Sequence, residues 1–542
     1  MNIPALAHYK PIFKQVWTLA LPVMAANLLQ SVVNVVDVFM AGRLGPIAIA
    51  AVGMSTTIRM LVLIMFLSVA AGAMALVAQA RGAGDVARIS FLTRQALSLS
   101  VLMSLVLTVI GYLAANPILR WLNGDGDPMA VVLGTEYLQI LFLGTLFLIV
   151  NLVVGRVMQG AGDTLTPLYL VGAINLLNIG FNHIFMFGVG PLPAFGVAGA
   201  AMGTLAARFL GCVIGIAVIY SGKNVIRLLP GTYRPNWRTF GDILSIGVPS
   251  GVQGVVRNSA QLLVIGIVTS TAAGTYGAAA LAIGFQVESL AFMPGLGVNV
   301  AATSLVGQAL GGWRVKRAWE NGDVAVVLGI LVMSAVALPI IIFAPQIIRL
   351  FDASGHPVVL AAGTSYLRIN TFAQPLLAIA MVTNGAMRGA GDTRPGLVGT
   401  TFGRLVVVVP LAYLLALQLG MGVEGVWFAL ASGTTVQAIY IQLQWRKGGW
   451  REVALRKSPL YRSHLAQLSH ETRWCFVDSI RTPVMARDEA KETVEDAGVS
   501  YHLPEGTIVV KFDKDDFWVA EGKQYIPRST PNPTPVIAPA YD

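Results

Sequence analysis

The sequence predicts an all-α membrane protein with twelve transmembrane helices in two pseudo-symmetric six-helix lobes, followed by a small cytoplasmic α+β extension. Three observations lead there: long apolar runs, a repeat at a nearly constant offset, and basic residues gathered in alternate loops. Of the 542 residues, 55% are hydrophobic and 12% charged, where a soluble domain carries roughly 25% charged residues. Apolar runs of about 20 residues are long enough to cross a bilayer core. They fall at 17–41, 53–79, 95–118, 130–155, 166–188, 196–220, 241–268, 278–306, 323–347, 360–387, 396–419 and 425–444. The 57 glycines suit membrane helices, where small residues let backbones approach. The start of the chain lacks a small-residue cleavage site, so the first run reads as a retained helix.

The net charge of +10 is unevenly spread. Residues 458–542 hold nine Lys/Arg and thirteen Asp/Glu, a net −4, so the remainder carries +14. That charge sits in short loops, which is a topology signal and not a nucleic-acid surface. One set of loops carries Lys10 and Lys14, then Arg81, Arg88, Arg94 and Arg156, and continues through Arg227, Arg234, Arg314, Arg317, Arg388 and Arg446. The opposite set carries only Arg43, Arg120 and Arg349. Positive loops stay inside, so both termini are expected in the cytoplasm and the protein in the inner membrane.

The repeat is visible in four places. Gln159-Gly160-Ala161-Gly162-Asp163-Thr164 returns as Arg388-Gly389-Ala390-Gly391-Asp392-Thr393, an offset of 229. At the same offset Gly134-Thr135-Glu136-Tyr137-Leu138 matches Gly363-Thr364-Ser365-Tyr366-Leu367, and Val77-Ala78-Gln79-Ala80 matches Val306-Gly307-Gln308-Ala309. Gly196-Val197-Ala198-Gly199 matches Gly422-Val423-Glu424-Gly425 at 226. Six spans per repeat put both halves in the membrane in one orientation, related by a pseudo-twofold axis along its normal. The expected division is a first lobe over 1–222, a linker over 223–240, a second lobe over 241–457 and the extension over 458–542. A cleft between parallel lobes suits transport better than a channel or a membrane enzyme.

Some motifs mislead. Gly160-Ala161-Gly162-Asp163-Thr164 lacks the Gly-Lys-Ser/Thr ending of a phosphate loop and follows a membrane helix, not a strand. It reads as a junction in which Gly ends one helix and Asp163 or Thr164 caps the next. Cys212 and Cys475 lie in no Cys-x-x-Cys pair, and no metal or redox site is expected. In the tail, Arg487–Ala497 reads as a charged helix ended by Gly498, Ile508–Phe512 and Phe517–Ala520 as a hairpin, and Pro531–Pro535 as a disordered end.

Met387-Arg388-Gly389-Ala390-Gly391-Asp392-Thr393-Arg394-Pro395, the run from Phe292-Met293-Pro294-Gly295-Leu296-Gly297 to Leu310-Gly311, and Gly422-Val423-Glu424-Gly425-Val426-Trp427 together resemble the multidrug and toxic compound extrusion (MATE) family. The resemblance spans roughly residues 15–450. It implies two lobes working by alternating access. It implies export of amphipathic, often cationic, compounds against inward flow of protons or sodium, with no cofactor beyond the coupling ion and no enzymatic activity. The expected partners are small-molecule drugs or organic cations and membrane lipids, with no nucleic acid, and the chain is expected to act as a monomer. Two rivals stand beside efflux: a flippase for a lipid-linked precursor, and a membrane sensor signalling through its tail.

An ionisable group inside a membrane lines a cavity or has a partner. Asp37, in Asn34-Val35-Val36-Asp37-Val38-Phe39-Met40, is the foremost candidate, because a carboxylate among apolar helices gives up its charge readily and can carry a proton. It matches the family's first-helix aspartate. Asn178 and Asn182, four apart, share a helix face, with Asn175 a turn earlier; the resemblance places a polar cluster here beside the aspartate. One proton-coupled branch has an aspartate where this chain has Asn182. The glutamate that a sodium-coupled branch carries on the seventh span falls on Arg257, and that branch's tenth-span aspartate is absent from Phe372-Ala373-Gln374-Pro375. Coupling is therefore expected in the first lobe. Glu288 on the eighth span lies 229 positions from Arg59, which suggests an ion pair across the cleft, with Arg257 a competing partner or a cationic substrate the alternative contact. Arg208, Arg368 and Arg404 carry weaker signals.

Overall fold

The computed structural model describes residues 3–124, 126–222, 225–351 and 355–457, and seven short strands of the tail. Helices α1 (Ile3–Gly42), α2 (Pro46–Gly82), α3 (Val86–Asn123), α4 (Pro128–Leu143), α5 (Thr145–Gly160), α6 (Leu165–Phe187) and α7 (Gly196–Tyr220) build the first half. The second runs α8 (Trp237–Thr269), α9 (Gly274–Gly311), α10 (Val315–Ile342), α11 (Ala344–Phe351), α12 (Pro357–Phe372), α13 (Gln374–Gly389), α14 (Arg394–Thr401), α15 (Val409–Tyr413), α16 (Gly422–Lys447) and α17 (Trp450–Lys457). π-helical stretches at Phe402–Val408 and Leu414–Gln418 flank α15. They absorb Pro410, which has no N–H to give to a regular ladder.

Among the described residues, nine helices are long and apolar enough to cross a membrane, ten if α4 and α5, bent by 51°, form one span. The other two expected spans are present as α12–α13 and α16. Both carry more polar side chains, Asn370, Thr371 and Gln374 in one and Gln437, Gln442 and Gln444 in the other. The twelve expected positions are thus all helical.

Local chemistry sets the boundaries. Asp85 accepts from the Arg88 N–H at 2.8 Å and opens α3. Asp127 accepts from Met129 at 2.8 Å and opens α4 beside Pro128. At the repeated junction, Gly162 takes φ +93° and Gly391 φ +82°, conformations that L side chains rarely adopt. Asp163 then accepts from the Thr166 N–H at 3.0 Å. The linker is strapped onto α3: Gln95 Nε2 donates to the Arg234 carbonyl at 3.0 Å, Gln95 Oε1 accepts from Asn236 N–H at 2.9 Å, and Leu229 N–H donates to Ser90 Oγ at 2.8 Å. Arg94 also donates to the Leu229 carbonyl.

The two halves exchange their opening helices. Ile12, Val16, Ala20 and Met24 of α1 are buried in a core built otherwise from the second half, with Val298, Ala302, Ala386 and Trp445. Reciprocally, Phe240, Ile243 and Ile246 of α8 are buried among Val69, Val77, Ile149 and Val157 of the first half. Ile12 and Trp450 are buried in one core, and the start of α10 lies beside both α1 and α17. Arg317 reaches Gln15 there at 3.1 Å. This basic end is also where the halves lock together: a Cβ on Gly72 would lie 2.1 Å from the Ile243 carbonyl oxygen, and one on Gly247 2.3 Å from that of Ser68.

In the tail, the described segments are antiparallel strands: β1 (Arg473–Val477) with β2 (Thr482–Ala486), β3 (Lys491–Asp496) with β4 (Val499–Pro504), and β5 (Val509–Phe512) with β6 (Phe517–Glu521) and β7 (Gln524–Tyr525). The expected 508–512 and 517–520 hairpin is β5–β6. The expected helix over 487–497 is corrected: its described residues, 491–496, form β3, with Val494 opposite Tyr501. Thr493 and Val494 are β-branched and face a partner rich in β-formers, which outweighs a charged helical pattern. Pro531–Pro535 lies outside the described residues.

Candidate functional site

The site in the first half grows from three asparagines on α6. Asn175, Asn178 and Asn182 fall on one helical stripe and are buried, Asn182 at 2% exposure. Glycine makes the room: a Cβ on Gly203 of α7 would lie 2.3 Å from Asn182 Oδ1. Asn178 Nδ2 donates to Thr204 Oγ1 at 3.1 Å, and the two amides exchange longer contacts of 3.4 Å. Asn182 Nδ2 donates to Asp37 Oδ1 at 2.9 Å, joining α6 to α1. Arg59 of α2 and Arg208 of α7 stand close enough to act on the Asp37 charge, and Tyr137 of α4 stands among these groups. Asn175 Nδ2 is buried without a hydrogen-bond partner.

A second polar pocket lies at the equivalent place in the other half. Glu288 of α9 accepts from the Tyr366 hydroxyl and, at 2.9 Å, from Gln374 Nε2. Tyr366 is the repeat partner of Tyr137, and packs edge-on against Trp427 with centroids 4.9 Å apart. Arg404 is the cation that acts on Glu288. Arg257 lies over the Phe292 ring at 6.0 Å, with Arg404 its charged neighbour. Asn370 Nδ2, Thr371 Oγ1, Gln374 Oε1 and Trp427 Nε1 are buried here without partners.

The structure thus brings Asp37, Asn178, Asn182 and Arg59 into one neighbourhood and places Glu288 in another, held by Tyr366 and Gln374. Tyr137, Thr204 and Gly203 were not singled out from the sequence. Tyr137 had a signal, since it lies inside a repeated motif. Thr204 and Gly203 had none, because only the packing of α6 on α7 brings them to the asparagines.

The MatE family model matches residues 22–184 and 249–414. The chain belongs to the MATE family of membrane transporters. This MATE protein is 30% identical to the probable multidrug resistance protein NorM of Bradyrhizobium diazoefficiens, over 81% of this chain and 94% of that one. It is 29% identical to the probable multidrug resistance protein NorM of Thermotoga maritima, over 82% and 94%. Among solved structures it superposes on a multidrug resistance MATE transporter of the MOP superfamily in an outward-facing conformation, with TM-score 0.76, 26% identity and coverage of 82% and 97%. It superposes equally on a MOP superfamily transporter from Pyrococcus furiosus described as having a binding pocket of reverse polarity, with TM-score 0.76 and 25% identity. The MATE chain is a transporter, not an enzyme.

Proposed function

We propose that the protein is an antiporter of the inner membrane that exports amphipathic, cationic compounds in exchange for protons. The observation that carries this reading is the Asn182 to Asp37 hydrogen bond, a carboxylate held between two helices inside an apolar bundle. Protonation would cancel the charge that Asn182 and the nearby arginines hold, and so loosen α1 from α6. Protons are favoured over sodium by the character of the pocket. A hard cation seeks a shell of oxygens, whereas Asp37 receives an N–H donor and has Arg59 and Arg208 as its charged neighbours. Compounds of the class named for the NorM relatives are the proposed cargo.

The basic end is assigned to the cytoplasm on the positive-inside rule. The tight contacts between halves gather at that end, and farther along, α1 turns to α6 through Asp37. The described state is therefore closed to the cytoplasm and read as outward-facing.

A lipid flippase is the second reading, favoured by two neighbouring cations in the second half, Arg404, which acts on Glu288, and Arg257, which acts on Arg404. Cationic-dye movement in vesicles holding the purified protein tests both. Movement driven by an imposed proton gradient supports the antiporter. Movement on a sodium gradient alone relocates the coupling ion, and no movement on either, with scrambling of an anionic lipid, supports the flippase.

A further inference from the structure

Gln79 of α2 and Gln308 of α9 are repeat partners, 229 positions apart. Gln79 Nε2 donates to the carbonyl of Gly389, in the second half, at 2.9 Å. Gln308 Nε2 donates to the carbonyl of Gly160, in the first half, at 3.0 Å. Gly160 and Gly389 are themselves repeat partners, so each half grips the other through the same pair of groups. The backbones beneath meet with the same symmetry. A Cβ on Gly82 would lie 1.8 Å from the Gln308 carbonyl oxygen, and one on Gly311 would lie 1.8 Å from the Gln79 carbonyl oxygen. Such contacts require glycine on both helices. Arg156 and Arg388, one from each half, are charged neighbours at the same junction.

We infer that Gln79 and Gln308 are the two arms of a latch that holds the cytoplasmic gate shut and sets the balance between outward- and inward-facing states. This rests on the alternating-access reading above. The two arms are unequal. Ser304 Oγ also donates to the Gly160 carbonyl, at 3.1 Å, and accepts from Gln308 Nε2 at 2.9 Å. Its repeat partner is Ala75, which has no hydroxyl, so among the described residues the Gly389 carbonyl has Gln79 as its one side-chain donor from the other half. Loss of Gln79 therefore opens the gate more than loss of Gln308.

The test is the rate of thiol labelling. Val300 is 5% exposed and packs between the halves against Val23 and Met74. Val300→Cys, in the full chain with Cys212→Ala and Cys475→Ser, is exposed in inside-out vesicles to a membrane-impermeant maleimide. Gln79→Met and Gln308→Met keep length and remove the donor. One net hydrogen bond is worth about fivefold in an equilibrium. The expected result is a labelling rate about fivefold higher in Gln79→Met, a smaller rise in Gln308→Met, and no rise for Val157→Cys, which is buried inside the first-half core. An unchanged Val300→Cys rate in both variants, or a rise at Val157→Cys as large, overturns the latch. The measurement needs neither substrate nor ion gradient, so it fails separately from the dye assay.

Discussion

Asn182 donates to Asp37 at 2.9 Å across 145 positions of sequence, and this one bond ties the sixth helix to the first. A hydrogen bond to a charged group is worth more than a neutral one, about 1.5–3 kcal/mol. Asn182→Leu is therefore expected to lower proton-driven transport by about tenfold or more, with abundance in the membrane unchanged. Asn182→Asp keeps a polar partner for Asp37 and is expected to retain proton-driven transport. Transport rate divided by protein amount checks both.

Gly203→Ala tests the same bond from the other side. The new Cβ would sit 2.3 Å from Asn182 Oδ1 and 2.6 Å from the Asn182 backbone nitrogen, so α7 must back away from α6 and the amide is displaced from Asp37. Its transport defect is expected to match that of Asn182→Leu. A Gly203→Ala protein with wild-type transport would mean that the amide position does not matter.

The tail of the second half hangs on a carboxylate. Asp323 accepts from Trp319 Nε1 and Trp445 Nε1, both at 2.9 Å, while Trp450 stacks on Trp445 at 4.4 Å and Arg451 lies over Trp319 at 4.7 Å. Asp323→Leu orphans two indole donors at about 1–3 kcal/mol each. It is expected to lower the thermal midpoint of the purified protein well below that of Asp323→Asn, which keeps one acceptor.

Deleting residues 458–542 separates a transporter from a sensor. Helix α17 docks Trp450 and Ala454 into the second-half core, and the deletion leaves that contact in place. Dye transport by the truncated protein is expected to stay close to that of the full chain. Its loss, in a protein that still inserts and folds, would favour a signalling role for the tail.

Much of this was legible in the sequence because membrane helices announce themselves by length and apolarity, and because the repeat kept its offset at Gln79, Tyr137 and Gly160. The asparagine stripe on α6 followed from helical spacing alone. What the sequence hid was tertiary. Nothing in the pattern of Ile12, Val16 and Ala20 says that they pack into the other half, since periodicity gives a face but not its partner. Glu288 read as a cleft residue from its offset to Arg59, yet its closest bonds run to Tyr366 and Gln374, which arrive from α12 and α13. The charged run near 491–496 reads as a helix in the sequence, and pairing with Val499–Pro504 makes it a strand instead.

The central claim is that Asp37 carries the coupled proton, and substrate-evoked proton release tests it most directly. A cationic dye added to the purified protein in weakly buffered solution should displace protons from the wild type and none from Asp37→Asn, with dye binding measured in parallel. Undiminished release from an Asp37→Asn protein that still binds dye would contradict the account and move the coupling site elsewhere.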